Sequence, residues 1–184
     1  WTFTSVGTGS LDATTNDSTV VFAAALTITG SHTLDNVTFN GVGTIYTVAN
    51  DHTLTVEGIL TLTDGSVNQT TIPAGGTLVL KIDNVNDVGE NLLNASTFDG
   101  GTGTLLISGA GTKTFTTLAA APIMGVELNA ANVTMTGPAS GTLTFEGTTN
   151  SINLKAGTFN GGVGAITVNL AYAQSGGTFT GGAG

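Results

Sequence analysis

The stretches VTFNGVGTIYTV (37–48), STFDGGTGTLLI (96–107), GTFNGGVGAITV (157–168) and GTFTGGAG (177–184) share one phrase, x-T-F-x-G-(G)-x-G-[TA]-[IL]. Their phenylalanines, Phe39, Phe98, Phe159 and Phe179, follow one another at intervals of 59, 61 and 20, close to multiples of 20. A second phrase, His32-Thr33-Leu34, returns as His52-Thr53-Leu54 at the same spacing of 20. A fixed period of this length marks a repeat architecture in which each period is one structural unit. Within the units, apolar residues alternate with polar ones for only three to five positions before glycine intervenes, as in Leu26-Thr27-Ile28, Leu60-Thr61-Leu62, Val133-Thr134-Met135 and Leu143-Thr144-Phe145. That pattern predicts short strands, each with one buried and one wetted face.

Two or three strands in each such period leave no room for a helical crossover. The expected fold is therefore all-β, a parallel β-helix (β-solenoid) of about 20 residues per coil, in which each coil hydrogen-bonds to the next. At a strand spacing of about 4.8 Å, the chain makes about nine coils and a rod of about 45 Å. The glycines after each phenylalanine are expected at the corners, where φ turns positive. An antiparallel β-sandwich also has short strands and Gly-rich turns, and it is the alternative. It gives no reason for a fixed period.

Composition agrees. The 184 residues hold 36 Thr, 28 Gly and 10 Ser, against no Arg, three Lys, four Glu and two Met. Straight-chain helix formers are scarce and β-branched residues abundant, which excludes a helical bundle. Residues 1–184 read as a single solenoid domain, a segment of a longer or self-associating protein. Twelve carboxylates against three lysines leave a net charge of −9, unsuited to nucleic acid or to anionic bilayers. The longest apolar run, Val20 to Leu26, is too short to span a membrane as a helix. A cysteine-free, acidic chain rich in Thr, Gly and Asn is expected outside the cell or at the cell surface of a prokaryote.

The stretch DGGTGTLLISGAGTKTFTTL, Asp99 to Leu118, resembles the passenger-associated repeat of bacterial autotransporters and large surface adhesins, as does the closing SGGTFTGGAG. The chain departs from that pattern after its aromatic residue, where Thr116-Thr117-Leu118-Ala119 stands in place of Gly-Gly-Thr-Thr. The resemblance implies an extracellular β-helical stalk or fibre and names no ligand.

Chemistry-bearing clusters are few, and no catalytic or cofactor-binding constellation is expected. Lyase chemistry beside a uronic acid usually needs Arg or Lys to stabilise developing charge, and Arg is missing. Ser31 and Ser66 lack a nucleophile-elbow phrase. The segment from Asp83 to Asn91 combines Asp83, Asp87 and Glu90 with three amides, hard oxygen donors of the kind calcium takes. Val85 breaks the EF-hand spacing, and a solvated loop is the plainer reading. His32 and His52 occupy equivalent repeat positions and are expected about 5 Å apart on adjacent coils. With Asp35 or Asp51 they would make a zinc or nickel site; surface stacking is the plainer reading. Five N-x-[ST] sequons, at Asn16, Asn36, Asn68, Asn94 and Asn132, are about the number that composition predicts.

These readings predict a structural surface protein, not an enzyme: a stalk segment or the repeating subunit of an extracellular fibre or sheath. The alternative is an adhesin binding glycans or a host protein along its flank, with a polysaccharide lyase or hydrolase third. Trp1 to Val6 alternate like a strand and are expected to cap their own chain's first coil or to add to a neighbouring copy.

Overall fold

The computed structural model describes residues 2–4, 12–13, 18–49, 52–69, 80–82, 89–94, 98–107, 111–117, 121–147 and 150–182. They contain strands and turns and no helix. The first sheet contains β1 (Thr2–Thr4), β3 (Thr19–Phe22), β4 (Leu26–Thr29), β6 (Asn36–Val48), β8 (Leu60–Gln69), β10 (Gly89–Asn94), β12 (Gly111–Thr117), β15 (Val133–Thr136), β18 (Thr158–Asn160) and β21 (Thr178–Thr180). The second stacks β2 (Asp12–Ala13), β5 (His32–Leu34), β7 (Leu54–Val56), β9 (Leu80–Ile82), β11 (Thr104–Ile107), β14 (Gly125–Leu128), β17 (Ile152–Leu154) and β20 (Tyr172–Gln174) in that order. The third holds β13 (Ala121–Ile123), β16 (Thr142–Phe145) and β19 (Ala165–Val168).

The strand pairs are parallel throughout. From Gly125 onward the chain visits the second, first and third sheets in turn, one strand in each per coil. This is the parallel β-solenoid, and the antiparallel sandwich is set aside. In the earlier coils β6 and β8 each run around a corner. Asn36 to Phe39 pair with β3, and Leu26 to Ile28 of β4 pair with Tyr46 to Val48.

Alternation explains the interior. Leu34, Val56, Leu105, Val126, Leu128, Ile152 and Leu154 of the second sheet point inward and are at most 3% exposed. Phe39, Leu60, Leu62, Val133, Met135 and Phe159 line the first sheet's inner face in the same way. Each such side chain contributes about 1.5–3 kcal/mol when fully buried. Aromatic residues form two runs along the core. Phe22 stacks on Phe39 at 5.3 Å and Phe39 meets Tyr46 at 4.7 Å. Farther along, Phe145, Phe159 and Phe179 follow one another at 6.1 and 5.5 Å. Tyr46 is fully buried, and its hydroxyl donates to the Phe22 carbonyl at 2.8 Å.

The structure corrects the uniform period. In the second sheet Ile152 faces Tyr172, as the expected spacing requires, but His32 faces Leu54, two positions beyond it, and Val126 faces Ile152, six positions beyond it. Longer coils mean fewer of them: this sheet is eight strands deep among the described residues, or about 34 Å at one strand spacing per step. The physical reason is that the ladder fixes only strand register, so corners absorb extra residues. Of the four phenylalanines in the repeated phrase, Phe159 and Phe179 are in direct register. Phe39 sits in the same sheet opposite Leu62, whereas Phe98 bridges Gly65 at a corner.

Glycine serves these corners as expected at Gly43, Gly100, Gly101 and Gly162, whose φ values are 60°, 76°, 126° and 74°. Gly65 shows why the residue is needed. Its φ is 86°, and a Cβ there would stand 2.8 Å from the Thr44 carbonyl oxygen. Strand β1 pairs with β4 of its own chain, Thr2 to Thr4 opposite Thr27 to Thr29; Trp1, Ser5 and Val6 lie outside the described residues.

Candidate functional site

Strand β14 and the end of β17 bring together a carboxylate, an amide and a lysine. Glu127 lies between inward-facing Val126 and Leu128, so alternation turns it outward, yet it is only 6% exposed. The next coil covers it. Asn153 is its register partner, and Asn153 Nδ2 donates to Glu127 Oε2 at 2.8 Å. Lys155, two residues farther on and on the same side of the strand, places Nζ 2.8 Å from the same oxygen. A carboxylate removed from water is thus matched by a cation and an amide donor. The arrangement ties one coil to the next.

Other polar side chains are used in the same way. Asn36 Oδ1 accepts the Ile59 amide at 2.8 Å, and Asn68 Oδ1 accepts the Thr102 amide at 3.0 Å. Asp64 Oδ1 accepts from Gly43 on the preceding coil at 3.1 Å and from adjacent Gly65 at 2.8 Å. Glu146 Oε2 accepts the Gly101 amide at 3.1 Å, and the buried Ser151 hydroxyl accepts from Leu170 N–H at 2.9 Å. Corner backbone groups that the ladder leaves unpaired gain partners across coils.

His32 and His52 are not the register partners that the repeated phrase requires. His32 opens β5 opposite Leu54, while His52 lies two residues ahead of that partner, its N–H bonded to the Ala49 carbonyl at 3.3 Å. His32 is buried, with Nε2 3.1 Å from the Thr29 carbonyl. The reason is the two extra positions in this coil: a shift of two preserves the inward face, so the core sets the register and the His-Thr-Leu phrase does not. Asp35 is buried beside Asn36, whose Nδ2 donates to Asp35 Oδ2 at 3.3 Å; Asp51 lies outside the described residues. Asp83 and Asp87 also lie outside them, and Glu90 is described only as a backbone position of β10, opposite Thr114. Among the described residues, no group of three or more His, Asp or Glu side chains is placed to hold a metal ion. Ser31 Oγ accepts the Thr53 amide at 3.1 Å, and Ser66 sits in β8 opposite Ile45.

Spacing could not reveal the Glu127, Asn153 and Lys155 cluster, because the long coil that brings Asn153 over Glu127 matches no repeated phrase. The usable signal was the scarcity of lysine, which makes an outward acid one coil from Lys155 a natural partner. At the last described coil, Tyr172 and Phe179 meet at 5.5 Å and the Tyr172 hydroxyl donates to Gln174 Oε1 at 2.7 Å. Burial raises the Tyr172 phenol above its ordinary value.

No family model, curated protein or solved structure matches this chain.

Proposed function

We propose that the chain is a structural element of an extracellular surface protein, a stalk segment or the repeating subunit of a fibre or sheath. One observation carries this reading: amide and carboxylate side chains along the stack bond from one coil to another. Asn36, Asp64, Asn68, Glu127 and Glu146 all do so. Such bonds resist shear between coils, as a spacer requires. The likeness of Asp99 to Leu118 to passenger-associated repeats supports the same compartment.

An antibody raised against the chain tests the reading on cells of the source organism. The expected result is labelling of intact cells and loss of the label after brief external proteolysis. Antigen confined to the cytosolic fraction would contradict it. A second reading, adhesion along the flank, is favoured by Val42 and Ile45, which stand 86% and 52% exposed on one corner of β6. If adhesion is the role, Val42→Lys with Ile45→Lys abolishes binding of the purified chain to a glycan array or to host-cell proteins and leaves its melting temperature unchanged. A parent chain that binds neither would remove this second reading.

A further inference from the structure

We propose that Asn132 is an acceptor for an N-linked oligosaccharide, and that the sequons at Asn36 and Asn68 are not. The three share the sequence N-x-T, so sequence cannot rank them. Their surroundings do. Asn36 Oδ1 receives the Ile59 amide, its Nδ2 donates to Asp35, and a Cβ at Gly58 would collide with its amide oxygen. Asn68 Oδ1 takes both the amide and the hydroxyl of Thr102, at 3.0 and 3.3 Å. Each amide is held to the next coil through Oδ1 and would have to leave that partner to enter a transferase site.

Asn132 differs on every count. It is exposed in the turn that the Val133 amide closes onto the Ala130 carbonyl at 3.2 Å, and its side chain makes no hydrogen bond to the described residues. Asn132 is exposed in the turn, Val133 behind it is buried, and Thr134 is half-buried in β15. The next two coils have small residues here. At this corner they carry Ala156-Gly157 and Gly176-Gly177, and Gly157 is so close to the Ala130 and Val133 carbonyls that a Cβ would lie 2.5 and 2.7 Å from them. On the side of the following coils, residues without long side chains flank the acceptor. The site is a property of this corner, whatever role the rod has.

The donor class is a polyprenyl-pyrophosphate-linked oligosaccharide. In the transfer, the bond from the anomeric carbon to the carrier pyrophosphate breaks and a bond from that carbon to Asn132 Nδ2 forms. The amide gives one proton to the transferase, and the carrier pyrophosphate leaves.

The test incubates the full folded chain with an oligosaccharyltransferase and such a donor, and maps the added mass by peptide. A free peptide covering residues 128–138 runs in parallel. The proposal expects one glycan on Asn132, none on Asn36 or Asn68, and loss of the modification in Asn132→Gln and in Thr134→Val. Asn132→Gln should melt with the parent chain, since the amide has no partner to lose. Modification of the peptide but not of the folded chain would overturn the proposal, as would failure of both. Glycan on Asn36 or Asn68 in folded protein with an unchanged melting temperature would also overturn it. The assay reads the corner directly, so it stands apart from where the cell keeps the protein.

Discussion

Phe159 and Phe179 are register partners, yet Phe159 is 2% exposed and Phe179 44%, because only Phe159 has a coil on both sides within the described residues. Truncation should separate them. Phe159→Ala is expected to lower unfolding free energy by about 3–5 kcal/mol through lost burial and the cavity left behind. Phe179→Ala should cost less than half as much; equal shifts in denaturant midpoint would contradict the packing. The Glu127 and Lys155 pair gives a second residue-scale expectation. Removing only the cation leaves a buried carboxylate with one amide donor, so Lys155→Met should destabilise the chain by about 1–3 kcal/mol. Adding Glu127→Gln should recover part of that loss, and a double-mutant cycle showing no coupling would remove the pair from the account. Phe159 was legible in the sequence, because alternation and the repeated phrase both place it inside. The burial of Glu127 was not, since it depends on which residues of the next coil lie above it, and that follows from corner lengths.

At the scale of the element, strands are rigid in register and corners are elastic. Each strand alternates inward and outward residues, so a one-residue slip exchanges the faces, whereas a change in corner length moves no side chain across the sheet. One glycine inserted between Thr134 and Met135 should therefore turn Met135 outward and abolish the cooperative transition of that region. The same glycine inserted between Asn129 and Ala130 should lower the melting temperature by only a few degrees. Similar losses from both insertions, read by thermal melts followed in the far ultraviolet, would contradict the division. This asymmetry also explains what the sequence revealed. The short strands around Leu26, Leu60, Val133 and Leu143 were read directly from alternation. The fixed period was too strict, because the coil from Val126 to Ile152 exceeds it by six positions and the coil from His32 to Leu54 by two.

Among the described residues the strand ladders join each coil to the next in a one-dimensional stack, so stability should behave approximately as a sum over coils. Residues 152–171 make one complete circuit, because Ile152 and Tyr172 are register partners. Their excision should bring Tyr172 over Val126 and Thr178 over Thr134, giving a shorter rod that still unfolds cooperatively with a smaller denaturant slope. Excision of residues 152–161 alone should leave the end unfolded, and survival of a full β signal would contradict the stacking. The central claim is the parallel register itself, and the lack of native cysteine allows it to be measured directly. In the structure Thr33 faces Thr55, whereas a strict repeat of the His-Thr-Leu phrase would set Thr33 over Thr53. Adjacent parallel strands hold register partners about 5 Å apart and residues displaced by two about 8 Å apart, and a disulfide closes only below about 7 Å between Cα atoms. Under mild oxidation, Thr33→Cys with Thr55→Cys should form an intramolecular disulfide quantitatively, and Thr33→Cys with Thr53→Cys should not. Cross-linking of the second pair in preference to the first would contradict the register, and failure of both would contradict the solenoid.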